Sequence, residues 1–200
     1  MKNQLRTIGD FWRQEYGRFV GMTAIAFLVL TVLAYIAGRL FPDIPVTVMS
    51  YFNDMIDSSG IVQEDGSFSV LALLGSNVRA MVLSALYGFI PFLYLPALSL
   101  GLNAAIIGML AAMMQERWLL FAAGILPHGI FELPALVLSL AAGLCLCQNI
   151  NHYIRKNEKG VMKPLMLNLL RVICLLVLPL LVVTAVMECY VTPQVMQLFM

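Results

Sequence analysis

The chain has 200 residues, 61% of them hydrophobic and 12% charged, and its mean hydropathy is +0.89. A soluble domain has roughly 45–50% apolar and about 25% charged residues, so this composition excludes an ordinary soluble enzyme and predicts an integral membrane protein. Twelve Lys and Arg against eleven Asp and Glu leave a net charge of +1, too little for the basic footprint of a nucleic-acid binder. Cys145, Cys147, Cys174 and Cys189 lie in or beside apolar runs, without zinc-ribbon spacing or the density of a disulfide scaffold; they read as small core hydrophobes.

A crossing needs about 20 mostly apolar residues at a rise of about 1.5 Å each. In chain order, residues 1–18 read as a cytoplasmic or interfacial segment alternating basic and aromatic side chains, "LRTIGDFWRQEYGRF", or equally as a juxtamembrane turn of the first span. Residues 19–200 form a single polytopic membrane domain. Its first span covers about 19–41, too long for a signal h-region and therefore a retained anchor. A polar segment follows, in which "VTVMSYFNDMI" has the spacing of a short surface helix. The second span, about 68–90, carries Asn77 and Arg79 and closes on the uncharged turn "PFLYLP". The third covers about 97–114 and the fifth about 165–190, with Pro179 as an expected kink. The fourth region, about 118–148, would overshoot a bilayer as one straight helix. Pro127, Gly129 and Pro134 crowd together inside it, and because proline removes a backbone donor and clashes with the preceding turn, the expected break is at "LPHG".

The charges of the loops set the expected orientation. Lys2, Arg6, Arg13 and Arg18 precede the first span, and Arg155, Lys156, Lys159 and Lys163 follow the fourth; both groups are expected inside. The loop holding Asp43, Asp54, Asp57, Glu64 and Asp65 has no basic residue and is expected outside. Five crossings satisfy both, with the N-terminus in and the C-terminus out, giving an all-α, multi-pass protein of the cell membrane. Trp12, Tyr16, Tyr87, Tyr94, Trp118 and Tyr190 fall near span ends as an aromatic belt would.

Ionisable residues inside spans usually face the bundle interior and have partners, which singles out an intramembrane polar cluster of Asn77, Arg79, His128, Glu132 and Glu188. His128 and Glu132 share one helix face. Two readings stand: Glu132 caps its helix and pairs with Arg79 or Asn77 to lock the bundle, or the cluster lines a transport or proton path at a broken helix. His128, Glu132 and Glu188 also have the residue types of a metal ligand set, but no H-E-x-x-H helix is present and the other histidine, His152, sits in the basic loop, so neither metal nor cofactor is expected. No aspartate lies in a span, and isolated membrane serines such as Ser69, Ser76, Ser84 and Ser99 mostly bond their own helix; no catalytic residue is assigned and an enzyme is not expected. Gly101, Asn103, Ala104, Ala105, Gly108 and Ala112 form a small-residue stripe suited to close helix packing, either within the chain or in a homodimer.

"LPHGIFELPALVLSLAAGL" (126–144), together with Asn77, Gly88, Asn103 with Gly108, and "AVMECYVTP" (185–193), resembles the stage II sporulation protein M family of five-span membrane proteins. The resemblance implies a non-enzymatic scaffold that recruits or positions peptidoglycan-remodelling hydrolases during engulfment, through a partner with its own outer domain. The alternative it leaves open is a membrane subunit of an export or ABC-type system, including bacteriocin export or immunity, working with an ATPase subunit. Carried onto this sequence, the motif singles out Pro127, His128, Gly129, Glu132, Pro134 and Glu188.

Overall fold

A computed structural model describes residues 9–58, 69–156 and 162–199 of the chain; Lys2, Arg6, Glu64, Asp65 and Lys159 lie outside the described residues. These fold as helices α1 (Gly9–Leu40), α2 (Asp43–Ser58), α3 (Val70–Leu86), α4 (Leu95–Met113), α5 (Trp118–Lys156) and α6 (Met162–Gln197), with no strand among the described residues. Five helices, all but α2, are long and apolar enough to cross a membrane. The short helix expected from "VTVMSYFNDMI" is part of α2.

α5 is the axis of the bundle, and α1, α3, α4 and α6 all pack on it. The reason lies in its side chains. Ser139, Leu140, Ala141, Ala142, Cys145 and Cys147 are at most 1% exposed, a run buried all round whose small members let neighbouring backbones come close. The closest approach is at Gly143, where an added Cβ would run into the Ser84 carbonyl oxygen of α3 and come within 2.8 Å of Pro96 Cγ of α4. Gly88, just after α3, abuts the Gly143 carbonyl in the same way. The turn leading into α4 is fixed there too: the Pro91 carbonyl accepts from Cys147 Sγ at 3.2 Å and Asn151 Nδ2 at 3.4 Å, and Tyr94 takes a left-handed conformation (φ 44°) just before Pro96.

α1 and α4 meet through small residues on both sides. A Cβ on Gly108 would strike the Thr31 carbonyl oxygen and lie 2.7 Å from Ala34 Cβ, and one on Gly38 would lie 3.0 Å from Ala112 Cβ. Ala34 with Gly38 and Gly108 with Ala112 thus form facing small-x-x-x-small pairs. Of the predicted stripe, Gly108 and Ala112 make this contact, whereas nothing lies within 4 Å of a Cβ on Gly101, and Asn103 donates to its own helix at Ser99 O, 2.8 Å. Another face of α1, with Met22, Ile25, Leu28 and Leu33, points outward at 54–68% exposure, as lipid-facing side chains do.

Two expectations are corrected. α5 is one continuous α-helix of 39 residues that includes both Pro127 and Pro134, about 58 Å at the usual rise. The prolines remove the donors to Ala123 and Ile130, a loss that membrane helices tolerate where neighbouring helices pack against them. α6 carries π-helical turns at Ile173–Val177 and Met187–Val191 that each end two residues before a proline, Pro179 and Pro193, and widening the turn is one way a helix absorbs a missing donor; a third π-helical turn, Trp12–Tyr16 in α1, has no such proline. Tyr16 leaves the aromatic belt: it is 0% exposed, stacks on Phe11, and its hydroxyl donates to the Leu138 carbonyl of α5. Its neighbour Glu15 accepts from Asn149 Nδ2 at 2.6 Å. The residues from Gly9 onward are accordingly an extension of α1.

Candidate functional site: a polar seam between α5 and α6

On α5, His128 and Glu132 are one turn apart and project from the same face, with His128 Nε2 3.7 Å from Glu132 Oε2. On α6, the π-helical turn Met187–Val191 carries Glu188, and Thr192 follows it on the same side. The two pairs face each other across the seam. His128 Nδ1 and Thr192 Oγ1 are 3.1 Å apart, and ligand-type atoms of His128, Glu132 and Glu188 lie within 4.8 Å of one another. All three titratable residues are half-buried, whereas Thr192 is 6% exposed. The tail of α6 is held down beside them, with Met196 Sδ within 3.5 Å of the position of a Cβ on Gly124.

The structure therefore brings together His128, Glu132 and Glu188, and leaves two predicted members out. Arg79 is exposed on α3 and makes no hydrogen bond or ion pair among the described residues. It sits two residues, about 200° of helix rotation, from buried Met81, so it faces away from the core. Asn77 is half-buried one turn beyond Leu73, with no hydrogen bond to the cluster. No Lys or Arg among the described residues is in ion-pair contact with Glu132 or Glu188, so the expected pairing of Glu132 with Arg79 does not form. Pro127 and Gly129 bracket His128; the nearest neighbour of a Cβ on Gly129 would be Ile125 of its own helix, and Pro134 is exposed.

Thr192 is the site residue that sequence reasoning missed, although it lies in the quoted "ECYVTP": a hydroxyl one turn after Glu188 is the signal that could have found it. Ser84 behaves as expected of a membrane serine, donating to Ala80 O of its own helix at 2.8 Å and lying 3.3 Å from Ser99 Oγ.

An all-helical membrane protein with a polar seam between its axial helix and its last helix is the class that fold and site define. Residues 19–193 match the family model of stage II sporulation protein M; the chain belongs to that family. It is also 29% identical over 172 residues to an uncharacterised protein of Methanocaldococcus jannaschii, covering 84% of this chain and 94% of the relative. No solved structure matches the chain.

Proposed function

We propose that the chain is a multi-pass scaffold of the cell membrane, N-terminus inside and C-terminus outside, that positions a peptidoglycan-remodelling complex by docking a partner's membrane helix. The observation that carries this reading is the outward face of α3. Arg79 is exposed there near the middle of a helix of spanning length, beside Gly75, Ser76 and Ala80, which are exposed as well. A cation at such a depth costs about 2.5–3.5 kcal/mol against lipid on insertion scales, and small residues one turn apart are where membrane helices pack closely. A partner helix bearing a carboxylate would satisfy both features. The family supports the scaffold role. The alternative, an export subunit, calls for a wet path reaching Glu132.

The test is affinity isolation of the wild-type chain and of Arg79→Leu from native membranes, with quantification of co-purifying peptidoglycan hydrolases. The expected result is their enrichment with wild type and their loss with Arg79→Leu at unchanged gel-filtration behaviour. Co-purification of an ATPase together with ATP-driven export, and no hydrolase, would establish the transport reading instead; recovery of a bare homodimer would replace the partner by a second copy.

A further inference from the structure

We propose that His128, Glu132 and Glu188 bind one divalent transition-metal ion, with zinc the best chemical match, and that Thr192 is a positioning residue for the imidazole. Three observations converge. The separation of 3.7 Å between His128 Nε2 and Glu132 Oε2 is too wide for a good hydrogen bond, yet close to the edge of about 3.3 Å that a tetrahedron with metal–ligand bonds of about 2.0–2.1 Å requires. His128 Nδ1 is engaged by Thr192 Oγ1 at 3.1 Å; with the proton on Nδ1, Nε2 turns its lone pair toward the two carboxylates, the arrangement that orients metal-binding histidines. Finally, Glu132 and Glu188 stand together, half-buried, without a Lys or Arg of the described residues in ion-pair contact, and neighbouring carboxylates partly withdrawn from water call for a compensating cation.

The donor set selects among ions. One imidazole and two carboxylates are too few and too nitrogen-rich for calcium, which takes 6–8 oxygens, and a compact three-ligand site does not offer magnesium its octahedron. Imidazole with carboxylate suits zinc and its neighbours, and three protein ligands leave a fourth position for water or for a partner's side chain. Because two ligands come from α5 and one from α6, the ion would pin the end of the last helix to the axis of the bundle. The proposal departs from the expectation of no metal, which rested on the lack of a local motif; the third ligand is 56 residues from Glu132 and arrives only through the π-helical turn. It does not depend on the scaffold reading.

The experiment uses the full chain purified in detergent, stripped with a chelator and titrated with Zn²⁺ by calorimetry, with bound metal counted by elemental analysis. Expected are one ion per chain, its loss in both His128→Ala and Glu188→Gln, its retention in His152→Ala, and affinity about 10–100-fold weaker in Thr192→Val, the usual effect of removing a group that orients a metal ligand. If the cluster variants do not fold, Co²⁺ loaded into wild type reads the site directly: a visible absorption band of a low-coordinate nitrogen and oxygen site supports the proposal. A folded, stripped wild type that takes up neither Zn²⁺ nor Co²⁺ would overturn it, as would equal uptake by wild type and the folded double variant of His128 and Glu188.

Discussion

His128 Nδ1 lies 3.1 Å from Thr192 Oγ1, the one hydrogen bond that joins α5 to the tail of α6 at the polar seam among the described residues. Thr192 is 6% exposed, so the bond is sheltered from competition by water. Replacing Thr192 by valine keeps the shape and removes the hydroxyl, leaving the imidazole without this partner. The expected loss is about 1–2 kcal/mol of stability, read as a lower thermal midpoint in detergent, with Thr192→Ser close to wild type.

The α1–α4 seam makes a sharper prediction. At Gly108 even a methyl group would strike the Thr31 carbonyl and Ala34, and these are backbone and a short side chain that cannot swing away. Gly108→Ala is expected to cost about 1–3 kcal/mol, the range for overpacking a close-packed core, and Gly108→Leu to abolish recovery of monodisperse protein. Gly101→Ala, on the same helix with open space around it, should be neutral or slightly stabilising, since alanine is the better helix former. Detergent gel filtration with thermal unfolding of the three variants checks the ordering.

Long apolar runs made the spanning-length helices legible, because hydropathy over about 20 residues is a strong signal. The same holds for the pairing of His128 with Glu132, which follows from helix period alone. Rotation of one helix relative to another leaves no such trace. Arg79 and Glu132 were joined by charge, yet α3 turns Arg79 outward because Leu73, Met81, Ser84 and Ala85 occupy its inner face. The prolines at 127 and 134 suggested a break, yet α5 continues through both, while those at 179 and 193 each follow a π-helical turn. Tyr16 looked like a belt residue because composition near a helix end says nothing about whether a neighbouring carbonyl, here that of Leu138, is within reach.

That buried tyrosine can be tested by itself. Tyr16→Phe keeps the stacking on Phe11 and removes only the bond to the Leu138 carbonyl, so the expected cost is about 1 kcal/mol. Asn149→Leu should cost more, because it leaves the Glu15 carboxylate without the donor that now lies at 2.6 Å, and hydrogen bonds to charged groups are worth about 1.5–3 kcal/mol. Urea or thermal unfolding of the two variants and their combination measures the order. Summed effects would show that the two contacts act independently, and a smaller combined effect that they hold the start of α1 as one unit.

The proposed orientation yields the last prediction. Lys and Arg near span ends are retained on the cytoplasmic side, and the end of α5 carries Arg155 and Lys156, whereas the acidic segment containing α2 has no basic residue between Asp43 and Ser67. Tyr51 on α2 is 73% exposed and Ile154 near the end of α5 is 55% exposed, so a cysteine at either position is open to reagent. With Cys174 and Cys189 replaced by serine, and Cys145 and Cys147 left in place because both are fully buried, a membrane-impermeant maleimide should label Tyr51→Cys in intact cells. Ile154→Cys should be labelled only after permeabilisation. The reverse pattern would put the acidic segment in the cytoplasm, where it could not face a peptidoglycan-remodelling partner, and the scaffold reading would lose its outer surface along with the orientation.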